Sequence, residues 1–137
     1  MSISTAATYL KSAADSVTYF NTVSIGMEFD YDKTKDTDYP ICHIAPTESE
    51  FDTSVARVTF MIVSLDKPLE NESDILTKIY ATHDALATVV GNYVNKASDY
   101  NIELPIQIEM LRQSTENTLC GWRAFVTIET NEPYSVC

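Results

Sequence analysis

Residues 55–65, VARVTFMIVSL, are dense in β-branched and aromatic side chains and predict an extended strand. In that strand Val58, Phe60 and Ile62 fall on one face, and Thr59, Met61 and Val63 on the other. Apolar groups on both faces place it in the middle of a sheet, covered from both sides. Asp66, Lys67 and Pro68 then stop it. The chain must therefore provide other strands to flank this one and helices to cover it. With 137 residues it has room for one domain, spanning 1–137, and little for a second.

The flanking segments fit that requirement. Residues 3–20 carry Ile3, Ala6, Ala7, Leu10, Ala14 and Val17 at helical spacing, with Ser4 or Thr5 to cap the start. Residues 22–29, TVSIGMEF, switch to period two, with Val23, Ile25, Met27 and Phe29 sharing a face. A polar loop over 30–38 leads to a second strand over 39–45, YPICHIA, and an acidic connection over 46–54. Residues 72–97 predict a long helix with Ile75, Ile79, Leu86, Val90, Tyr93 and Val94 on its apolar stripe. Asn71 or Ser73 caps it, and Glu72 and Asp74 complement its positive end. Two alternating runs, 102–113 and 119–130, joined by STENT, predict a β-hairpin. The expected fold is a two-layer α+β domain in the order α-β-β-β-α-β-β. It has about five mainly antiparallel strands, with two helices on one face.

The residues offer little for chemistry. Cys42, Cys120 and Cys137 are odd in number and widely spaced, which suits free thiols in a reducing compartment and no paired zinc ligands. Cys42 and His43 are neighbours in a strand, so they point to opposite faces and do not form a nucleophile–base pair. His83 lies beside the apolar stripe of the long helix and reads as a half-buried packing residue. Gly26, Gly91 and Gly121, the three glycines, stand too far apart for a phosphate loop. The run Asp30–Asp38 has alternating acids, but Lys35 and Ile41 occupy the positions where a calcium loop needs Gly and Glu. No catalytic residue, metal ligand or cofactor is therefore expected.

Charge carries more. Asp and Glu number 20 against 9 Lys and Arg, a formal charge of −11. This argues against a nucleic-acid-binding surface and against docking on anionic membranes. Between residues 28 and 52 stand Glu28, Asp30, Asp32, Asp36, Asp38, Glu48, Glu50 and Asp52, against Lys33 and Lys35. One side of the molecule is expected to be strongly negative. Solubility alone is a sufficient reason for such a surface.

In its organisation the chain resembles a known group. The TVSIGMEF alternation follows an N-terminal helix. The second strand opens Tyr39-Pro40-Ile41 and runs to Ala45-Pro46. The strand ARVTFMIVSL, the helix with ILTKIYATHDAL and a hairpin carrying Gly121-Trp122 in GWRAFVTIE complete the order. Over residues 3–130 this is similar to the tail-terminator, tail-completion or neck proteins of tailed bacteriophages. The resemblance implies a virion structural subunit, made in the host bacterial cytoplasm. It would form a homo-oligomeric ring at the head–tail connection or tail top and contact neighbouring neck and tail proteins. DNA would pass through the ring without sequence-specific binding. Asp30, Asp32, Asp36, Asp38, Glu48, Glu50 and Asp52 are then the candidates for the interface or lumen, since negative charge keeps DNA from sticking. The rival readings are a small cytoplasmic binding or adaptor module, and an enzyme on an α+β scaffold. An enzyme would need a pocket with convergent polar groups.

Overall fold

The computed structural model describes residues 3–27, 38–52, 55–68, 71–96, 101–114 and 118–130. Helix α1 spans Ile3–Asp15 and helix α2 Glu72–Lys96. Among the described residues there are six strands: β1 Thr22–Ile25, β2 Ile41–Asp52, β3 Val55–Asp66, β4 Asn101–Ile102, β5 Ile108–Ser114 and β6 Thr118–Thr130. They form one mixed sheet in the order β1-β2-β3-β6-β4, with β5 also on β6. The class is α+β, with the helix and strand order that the hydrophobic pattern predicts.

Strand β3 lies at the centre, antiparallel to β2 on one side and to β6 on the other. Its Val58, Phe60 and Ile62 pack with Leu10, Ala14, Leu86, Val89 and Tyr93 of the two helices. Both helices thus cover one face. On the opposite face Met61, Val63 and Leu65 are also buried, with Ile41, Ala45 and Leu119, and with Tyr39 and Leu111 packed against them. The double-sided apolar pattern of 55–65 is thereby explained.

Tertiary bonds fix the layers. Ser64 Oγ donates to the Thr82 carbonyl oxygen, and Trp122 Nε1 to that of Ile79 at 2.7 Å, so β3 and β6 both grip α2. Tyr93 Oη donates to the Ala6 carbonyl oxygen and joins the helices. Asn71 Oδ1 accepts from the Asp74 N–H, which identifies Asn71 as the cap of α2.

Four boundaries differ from the sequence pattern. Helix α1 ends at Asp15, not residue 20, where Ser16 Oγ takes up the Ala13 carbonyl oxygen and Val17 N–H turns back to Ala14. Strand β1 stops at Ile25, and Ile25 and Met27 are exposed despite sharing the alternation of Val23. The connection 46–54 is mostly strand, because β2 continues to Asp52 and pairs with β3 as far as Val55. The run 102–113 is two strands on the same edge of β6, interrupted around Leu104-Pro105. Pro105 lacks the N–H that a continuous ladder would use.

Candidate functional site

Register and packing divide the polar side chains between the sheet's two faces. Glu48 pairs with Thr59 and Glu50 with Arg57, while Thr59 and Arg57 pair with Thr127 and Glu129. All lie on the face away from the helices, since the intervening Val58 and Phe60 are in the helical core. Arg57 Nε stands 3.4 Å from Glu103 and 3.3 Å from Glu129. Glu48, Ser49, Glu50, Arg57, Thr59, Glu103 and Thr127 line an open cleft of about 390 Å³ on this face. Thr59 and Thr127 hydroxyls bond across its floor at 2.9 Å.

Further along the same face Arg123 donates from Nε to Glu109 and stacks 5.3 Å over the Phe125 ring. Among the described residues, this face therefore sets Glu48, Glu50, Glu103, Glu109 and Glu129 against Arg57 and Arg123. They form an acidic patch, with its arginines engaged by glutamates or an aromatic ring, while Ile41, Met61, Val63 and Leu65 on the same face are buried. These ion pairs are largely exposed and each contributes at most about 1 kcal/mol. What they do is set the sign of the surface.

The seven acidic residues singled out from the sequence do not form one group. Glu48 and Glu50 are exposed on β2 and border the cleft. Asp52 closes β2. Asp38 is exposed before the other end of β2, where its carbonyl oxygen accepts from Thr22 Oγ1. The strand from Ile41 to Glu50 alone, roughly 30 Å of extended chain, separates it from Glu50. Asp30, Asp32 and Asp36 lie outside the described residues. Sequence proximity did not point to Glu103, Glu109 and Glu129. They sit in the terminal hairpin region, and only the pairing of β6 with β3 brings Glu129 beside Arg57.

The groups with chemical potential are all engaged in structure. Cys42 is buried under the helices, and burial pushes its thiol up to about 12, so it stays protonated. His43 points to the other face, as adjacent strand positions require. Its Nδ1 lies 2.7 Å from Ser24 Oγ and its Nε2 2.9 Å from the Met27 carbonyl oxygen. The Met27 bond fixes Nε2–H as donor and leaves Nδ1 to accept from Ser24. His83 meets Trp122 edge to face at 5.1 Å. Asp66 accepts from Tyr19 Oη at 3.0 Å and stands 3.7 Å from Lys78 Nζ. Burial and this carboxylate raise the Tyr19 phenol well above its ordinary range. Among the described residues no three His, Cys, Asp or Glu are placed to hold a metal ion, and no helix is long and apolar enough to cross a membrane.

Exposed large apolar groups are spread over the described surface, with Tyr9 on α1, Leu76 and Tyr80 on α2, Phe125 on β6, and others at the two ends of the sheet. Ile25, Met27 and Phe51 lie at the β1–β2 end of the sheet; Leu104 and Met110 lie at the β4–β5 end. Both ends are open among the described residues. In sequence, no protein-family model matches the chain and no curated protein matches it.

Proposed function

We propose that this chain is a virion structural subunit that forms a homo-oligomeric ring at the head–tail connection or tail top of a tailed bacteriophage. The observation that carries the reading is the open sheet itself. Among the described residues it has helices on one face and, on the other, an acidic patch beside a buried apolar cluster, with exposed large apolar groups at both ends as well as on the helices. A subunit with two different sticky ends associates head to tail, and such contacts close into a ring when the rotation permits. The helix-and-strand order is the one that the resemblance to tail-terminator, tail-completion and neck proteins implies.

In this arrangement the acidic face, with Glu48 and Glu50, turns towards the channel and the helices turn outward. DNA passing such a wall meets repulsion rather than lysine and arginine contacts, so it slides without being held. The partners are other copies of the chain and the neck and tail proteins stacked above and below. No catalytic step is part of the role. The test is compositional. Purified particles of the phage that encodes the chain should contain it in a fixed, ring-like copy number by quantitative mass spectrometry. Its absence from particles would rule the role out.

A further inference from the structure

We draw no further inference here: the strongest candidate, the open cleft lined by Glu48, Glu50, Glu103 and Arg57 on the sheet face away from the helices, is an acidic cluster that belongs to the site already described, and nothing in the structure shows what would occupy it.

Discussion

At Gly121, where β6 crosses opposite Leu65, an added Cβ would fall well inside contact distance of the Ser64 carbonyl oxygen. A backbone oxygen cannot rotate away as a side-chain tip can. Gly121→Ala should therefore cost at least the ~1–3 kcal/mol typical of overpacking, read as a lower chemical denaturation midpoint. Its neighbour Trp122 supplies the bond to Ile79. Trp122→Phe should lose about 1 kcal/mol while keeping the aromatic contact with His83. The Gly121-Trp122 pair, conspicuous in the sequence, thus sets how closely the last strand approaches β3 and how it holds α2. Cys42 makes a prediction of a different kind. Its folded pKa lies above the ordinary 9.0, near 12, so the unfolded chain ionises first as pH rises. The stability contribution is complete below about 9 and is lost between there and about 12. A thermal-melt series should show alkaline destabilisation, and Cys42→Ala should flatten part of it; an unchanged pH slope would count against burial as the cause.

Among the elements, those buried on at least one face were legible. Strand β3 and helix α2 carry apolar patterns that only a core position explains, and their limits fall within about a residue of the sequence pattern. Leu86 is fully buried under α2, and Leu86→Ala should cost roughly 2–5 kcal/mol by equilibrium unfolding. The outer half of β2 was not legible. Residues 46–51, PTESEF, are solvated on both faces, so no alternation of apolar and polar groups marks them. They are extended because β3 returns alongside and pairs with them up to Val55. Nor could the parallel pairing of β1 with β2 be read, since strand direction leaves no mark on local periodicity. The break in the fourth predicted strand had a visible cause, Pro105, whose missing N–H outweighed the alternation through Ile102, Leu104 and Ile106. As for the site, Glu48 and Glu50 were visible as acids, but their grouping with Glu103 and Glu129 around Arg57 depends on sheet order.

For the whole molecule, charge and shape act together. Copies carrying −11 each repel, so association depends on apolar or hydrogen-bonded edges and on screening. Raising ionic strength from about 0.01 M to 0.5 M should shift the sedimentation distribution towards the oligomer, since the screening length falls from about 30 Å to well under 10 Å. Association driven by opposite charges would shift the other way. The proposed ring also orients the sheet, with the helices outward and the acidic patch of β2 on the channel. A three-dimensional reconstruction of the virion tests this most directly. The expected result is a ring of this chain at the neck or tail top, with Glu48 and Glu50 of every subunit facing the central channel. A particle lacking the chain, or a ring whose helices line the channel while Glu48 and Glu50 face the outer solvent, would contradict it.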